Sequence, residues 1–151
     1  MSIDIEVQYA TESRSLPDTK KIKNWVKSSL NNEVKRAEIT IRIVDEDEGA
    51  RLNEKWRSVS GPTNVLSFPY NEDIKNLETV QGDVILCAPV IFREAKQQDK
   101  PVDAHWAHMV IHGTLHLQGY DHIQEDDANK MESLETDILN KLHFPDPYHS
   151  L

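Results

Sequence analysis

Cysteine is nearly missing from this chain. Cys87 is the only one in 151 residues, which excludes a disulfide-built secreted scaffold. Long apolar runs are missing too, since none approaches the ~18 residues that a membrane-spanning helix needs. The first residues, Met1-Ser2-Ile3-Asp4-Ile5-Glu6, put acids where a signal peptide carries a basic region and then an unbroken apolar one. A cytoplasmic protein with no membrane attachment is therefore expected. Basic charge is scarce: 17 Lys and Arg stand against 26 Asp and Glu, a net charge of −9, which repels nucleic acid on average. No internal repeat, low-complexity tract or domain linker interrupts the chain. What is present is 38% hydrophobic and 28% charged residues, enough for one core and too apolar for a disordered tail. The length is near the ~100–150 residue mode of single domains, so residues 1–151 are expected to form one.

Charge is segregated along that domain. Lys20, Lys21, Lys23, Lys27, Lys35 and Arg36 are opposed only by Glu33 in their stretch, whereas Asp121 to Asp137 is acidic. Such patterning suits either two solvated helix faces of opposite sign or local binding of a polyanion on the Lys20–Lys27 face.

Periodicity sets the elements. Ile3, Ile5 and Val7 alternate with Asp4, Glu6 and Gln8, as do Ile39, Ile41 and Ile43 with their neighbours, which is the pattern of half-buried strands. Pro17-Asp18 signals a helix start, and Ile22, Trp25, Val26 and Leu30 follow at helical spacing. From Asp45 to Trp56 the acids come first, suiting a helix N-terminus, and Leu52 and Trp56 fall four apart. Asn64 to Phe68 and Val80 to Cys87 read as strands, with a polar loop between them. Pro89 to Gln98 and Pro101 to Gln118 read as helices, the second ending at Gly119 in the C′ position. Met131, Leu134, Ile138 and Leu142 mark a last helix. The expected class is α+β: a small mixed sheet of about four strands covered by about five helices. Trp25 and Trp106 could stack nucleic-acid bases, but each sits on an apolar helix face and is expected in the core, as are Met109 and Met131.

Five of the seven histidines lie between His105 and His122. Those at 105, 108, 112 and 116 share one stripe of a helix. His112 and His116, four apart, can grip one metal ion together, and Gly119 lets the chain turn so that His122 returns as a third ligand. Three neutral imidazoles leave the ion's charge intact and a fourth position open, which suits a catalytic zinc and the bound water it activates. His108, one turn before His112, can serve as a general acid or support a liganding histidine, with plain packing the stronger expectation. Asp121 can either hold the far nitrogen of a liganding histidine or simply form the turn. The spacing H-x3-H-x2-G-x2-H is also that of metzincin peptidases, but their general-base glutamate is replaced by Gly113. A peptidase or amidase is thereby disfavoured.

The segment His112-Gly-Thr-Leu-His116-Leu-Gln-Gly119-Tyr-Asp121-His122 closely resembles the signature of the YbeY family of bacterial endoribonucleases. Leu52-Asn-Glu-Lys-Trp-Arg57, Pro62-Thr-Asn-Val-Leu-Ser-Phe-Pro69 and Gly82-Asp-Val-Ile85 look like further blocks of that family, in the same order. The resemblance implies a zinc-dependent, single-strand-specific endoribonuclease with one zinc per chain. It would act in 16S rRNA 3′-end maturation and ribosome quality control, with single-stranded RNA and the small ribosomal subunit as partners. The family's ligands carry over to His112, His116 and His122, holding the zinc-bound water, and its arginine to Arg57. A guanidinium matches phosphate oxygens bidentately, as a helix-end surface arginine need not. Family members often carry Asp where Asn64 stands, and that position is given no role. A ribosome-assembly binding protein with a structural zinc is the other reading, and the open ligand position argues against it.

Overall fold

The computed structural model describes residues 2–70, 78–120 and 125–148. Its elements are β1 (Ser2–Ala10), α1 (Thr19–Ser28), β2 (Arg36–Val44), α2 (Glu46–Arg57), β3 (Val65–Pro69), β4 (Thr79–Cys87), α3 (Ala88–Gln97), α4 (Val102–Leu117) and α5 (Glu125–Lys141). The strands form one mixed sheet in the order β1-β2-β4-β3. β1, β2 and β4 run parallel, with Ile5 beside Ile39 and Ile41 beside Val84, while β3 pairs antiparallel to β4 at the edge. This is the α+β architecture expected from the sequence. No helix among the described residues is long and apolar enough to cross a membrane.

Both faces of the sheet are covered, as parallel strands require. The larger core joins Ile5, Ile39, Ile41, Val84 and Leu86 of the sheet to Ile22 and Val26 of α1 and Trp106, Val110 and Leu115 of α4. A smaller cluster of Val44, Leu66, Ile85, Cys87 and Val90 lies on the other face, with Leu52 of α2 packed on it. Val84 to Cys87 of β4 are therefore all buried. Trp25 and Trp106 belong to the core, 4% and 0% exposed. Trp56 does not: the helix that its spacing from Leu52 indicated is there, but the indole is 61% exposed.

Local signals behave as their chemistry dictates. The Asp18 carboxylate accepts a hydrogen bond from the Lys21 backbone N–H at 2.8 Å and starts α1. β3 begins at Val65, one residue later than the apolar run suggested, because the Asn64 side chain turns back to accept from the Val65 N–H at 2.7 Å. α5 begins at Glu125, a turn and a half before Met131. Most of the expected 70–79 loop lies outside the described residues.

α4 is the hub, packed against β3, β4, α1, α3 and α5. Gly113 makes this possible. A Cβ on it would stand 2.5 Å from Val84 Cγ1 and 3.1 Å from Val65 Cγ2, so only glycine lets the helix lie directly on the sheet. The helix then ends as expected: Gly119 takes a φ of +93°, and its N–H bonds the His116 carbonyl at 3.0 Å.

Candidate active site

The histidine stripe of α4 meets acids from two other helices. His105 is buried with Nε2 2.9 Å from Glu94 Oε1 of α3. Burial pushes its pKa down, against the upward pull of that carboxylate, so this pair pins α3 to α4. His108 Nε2 and His112 Nδ1 both reach Glu135 of α5, at 3.2 and 2.5 Å, and the Tyr148 hydroxyl donates to the same carboxylate. Glu135 is fully buried. Burial opposes its charge, but the hydrogen bonds from His108 and His112 outweigh that and hold its carboxyl down at about 2. Tyr148 responds in the opposite sense, its phenol raised by burial and then by Glu135.

An ionised carboxylate can only accept, so His112 donates to it from Nδ1, and its Nε2 is turned the other way, toward the cleft. That Nε2 lies 3.1 Å from His116 Nε2. Two nitrogens bound at ~2.0–2.1 Å to one tetrahedral zinc stand roughly 3.3 Å apart. The pair thus has the spacing of two ligands on one ion, with a carboxylate behind the first, as in carboxylate–histidine–zinc arrangements. His108, His112 and Glu135 themselves form a group whose ligand atoms lie within 4.8 Å of one another and which can hold a metal ion. In the geometry present they are hydrogen-bonded together, which suits Glu135 to orienting His112.

His112 and His116 open onto a cleft of about 650 Å³ that wraps the edge strand β3. Asn53 and Arg57 of α2, Asn64, Val65, Leu66 and Ser67 line it with them, as does Tyr120. The Ser67 hydroxyl donates to the Gly113 carbonyl at 2.9 Å, tying β3 to α4 beside the histidines. Arg57 ends α2. Ser58 follows in the left-handed conformation, its N–H bonding the Glu54 carbonyl at 3.1 Å, and buried Asn53 holds the next loop by donating to the Gly61 carbonyl at 2.8 Å. Arg57 is exposed and has no ion pair among the described residues.

The cleft therefore brings His112, His116 and Arg57 together, 55 and more residues apart in sequence. His122 and Asp121 lie outside the described residues. His108 packs, as expected, and also holds Glu135. None of the α1 lysines lines the cleft: Lys20, Lys23 and Lys27 flank a separate hollow, where Lys21 is paired to Asp103 at 2.9 Å. Sequence reasoning missed Glu135 and Tyr148. A signal existed for Glu135, which falls in step with Met131 and Leu139 on the buried face of α5.

Position 113 also bears on the peptidase alternative. The spot that carries a glutamate in metzincins faces Val84 and Val65 of the sheet, with no space even for a methyl group. No base can project from there.

A helix that carries paired imidazoles into a cleft lined by a guanidinium with no ion pair among the described residues, on a mixed four-stranded sheet, defines a candidate metal centre for an anionic ligand. Comparison with known proteins supplies the family. The profile described as Endoribonuclease YbeY matches residues 6–143. A protein named endoribonuclease YbeY from Nitrosomonas europaea is 51% identical over 144 residues, covering 95% of this chain and 84% of the relative. One of the same name from Nitrosococcus oceani is 48% identical over 153 residues, covering 100% of both chains. The solution structure of a Thermotoga maritima protein shares the fold, with a TM-score of 0.59 at 23% identity, over 95% of this chain and 99% of that one. The chain belongs to the endoribonuclease YbeY family, a family of hydrolases acting on phosphodiester bonds.

Proposed function

We propose that this protein is a zinc-dependent endoribonuclease that cuts single-stranded RNA in the cytoplasm. Its substrate is the 3′ region of precursor 16S rRNA, met on the small ribosomal subunit during maturation and quality control. The observation that carries the metal reading is the 3.1 Å approach of the His112 and His116 Nε2 atoms in a cleft shared with Arg57. The ribosomal part rests on the family likeness.

The ligands are His112, His116 and His122. Zinc held there supplies Lewis-acid charge beside the scissile phosphate. The chain's own residues do the rest. Arg57 clamps the phosphate through its two-pronged guanidinium and offsets the charge that grows on its oxygens. Glu135 accepts from His112 Nδ1 and fixes the angle of the ring, so that Nε2 is aimed toward His116 and the cleft. A single strand can drape its backbone over the edge strand β3 to reach the cleft floor, whereas a stiff A-form duplex cannot splay around one phosphate.

The test is cleavage by metal-replete protein of matched single-stranded RNA, duplex RNA and single-stranded DNA. Single-stranded RNA is expected to be cut, and chelation to stop it. Arg57→Ala should slow cutting by roughly 10²–10³-fold, the loss of one charge-stabilising donor, with fold and zinc content unchanged. Arg57→Lys should restore only part, because an ammonium lacks the fork. Undiminished cutting by Arg57→Ala, or by chelated protein, overturns the proposal.

A further inference from the structure

Of the three tryptophans, only Trp56 stands in solvent, at 61% exposure. Its place is specific. It precedes Arg57 on α2, and its ring meets Phe68 edge-on, with centroids 6.2 Å apart and planes at 63°. Phe68 follows Leu66 on the α2 side of β3, because strand residues two apart share a face, and Leu66, Ser67 and Pro69 all line the cleft. The indole is thus propped at the rim where the cleft wraps the edge strand. Val59, 50% exposed, lines that cleft, and Tyr70, 62% exposed, directly follows Pro69. Tyr70 is engaged elsewhere, its hydroxyl donating to Asp83 of β4, so Trp56 and Val59 are the exposed apolar side chains next to Arg57 on this rim.

The charges nearby say what such a rim suits. Lys55 Nζ sits 5.1 Å above the Trp56 ring, and Arg57 follows it, on a chain whose net charge is −9. An apolar peptide would gain nothing from two cations, whereas a single-stranded polyanion presents both flat bases and phosphates. Every base has a π-face, so an aromatic platform binds without reading sequence.

We infer that Trp56, propped by Phe68 and flanked by Lys55, stacks on an unpaired base next along from the phosphate held at Arg57. This deepens the RNA reading above and rests on it. The substrate class it selects is a strand with at least one unstacked base beside the cut, and it accounts for single-strand preference by a contact that a duplex cannot make.

The experiment uses the full metal-loaded chain and a short 2′-O-methyl single-stranded RNA, with or without an abasic site at the nucleotide flanking the central phosphate. Because Trp25 and Trp106 are buried, iodide-accessible fluorescence reports Trp56. The base-bearing strand is expected to quench it and shield it from iodide. Trp56→Ala should weaken that strand's binding roughly 10-fold and raise KM more than it lowers kcat on cleavable RNA, while Trp56→Phe keeps most of both. The abasic strand should bind wild type and Trp56→Ala alike. If Trp56→Ala binds the base-bearing strand as wild type does, or weakens the abasic strand equally, the stacking subsite is overturned. In the first case a protein partner for the rim replaces it, provided wild type still cuts RNA and Arg57→Ala does not. If wild type neither binds nor cuts any strand, the RNA reading itself fails and takes the subsite with it.

Discussion

α1 and α4 pack side by side and treat polar side chains in opposite ways. α1 buries Ile22, Trp25 and Val26 and sends its lysines outward. α4 buries twelve of its sixteen residues, histidines 105 and 108 among them. On α1 a lysine needs no partner, since water solvates it. On α4 most buried polar groups have one: Glu94 for His105 Nε2, Glu135 for His108 and His112, the Val110 carbonyl for Thr114, the Ser29 carbonyl for Gln118 at the helix end. His105 Nδ1, His108 Nδ1 and Trp106 Nε1 find none among the described residues. Buried polar groups that lose a partner cost about 1–3 kcal/mol each. The difference teaches where chemistry is committed. Charge on α1 is replaceable, whereas His105, His108 and His112 of α4 are each held in one orientation by a carboxylate partner.

Substitutions on the two helices should separate them, beginning with the largest effect. His116→Ala is expected to remove the bound zinc, about one ion per chain in wild type, and with it RNA cleavage; elemental analysis that still finds a full complement would break the contrast at its centre. Glu135→Gln should come next, weakening zinc binding by roughly 10–100-fold while the ligands remain. A chelator competition reads this directly, and unchanged affinity would show that the carboxylate only packs. Gly113→Ala tests how tightly α4 is seated. Its Cβ falls 2.5 Å from Val84, and overpacking of this kind costs about 1–3 kcal/mol, seen as a melting temperature lower by about 2–4 °C per kcal/mol. A melting point equal to wild type would mean the helix can ride up freely.

The smallest effect belongs to α1. Replacing Lys20, Lys23 and Lys27 together with Gln should leave zinc in place, weaken RNA binding modestly and flatten its salt dependence. Each phosphate contacted on a single strand adds a slope of roughly −0.7, and the whole protein should show no more than two to four such contacts. An unchanged slope in the triple variant would mean that the lysine face is only solvated. The comparison would then sharpen, with binding confined to the cleft.

How much of this was legible beforehand follows the same division. Period-two runs such as Ile39-Ile41-Ile43 and the three-and-four spacing of α4 announced sheet and helix, and Gly119 announced the turn that ends α4. The histidine pair was visible because both residues lie on one helix. Glu135 was hidden among Asp126, Asp127, Glu132 and Asp137, a run that reads as a solvated acidic face, although its step with Met131 and Leu139 set it inside. Which acid would back which imidazole depends on how α5 lies against α4, and local sequence does not encode that. The exposure of Trp56 was not legible either: its i+4 spacing from Leu52 indicated a helix and no more. The smaller cluster under α2 ends at Leu52 and Phe68, so the helix runs on past its own core.

The seating of Gly113 against the sheet has a consequence for descent. Glycine and glutamate codons can differ by one base, so a lineage with this histidine spacing sits a single point mutation from the base that peptide hydrolysis uses. Here that mutation would drive a carboxylate into Val84 and Val65 and lift the helix that aims the imidazoles. Reaching peptide chemistry would take prior thinning of β3 and β4, changes with no benefit until the last one arrives. Steric contact two residues wide, more than the nature of the metal, keeps this scaffold from drifting between the two hydrolytic trades.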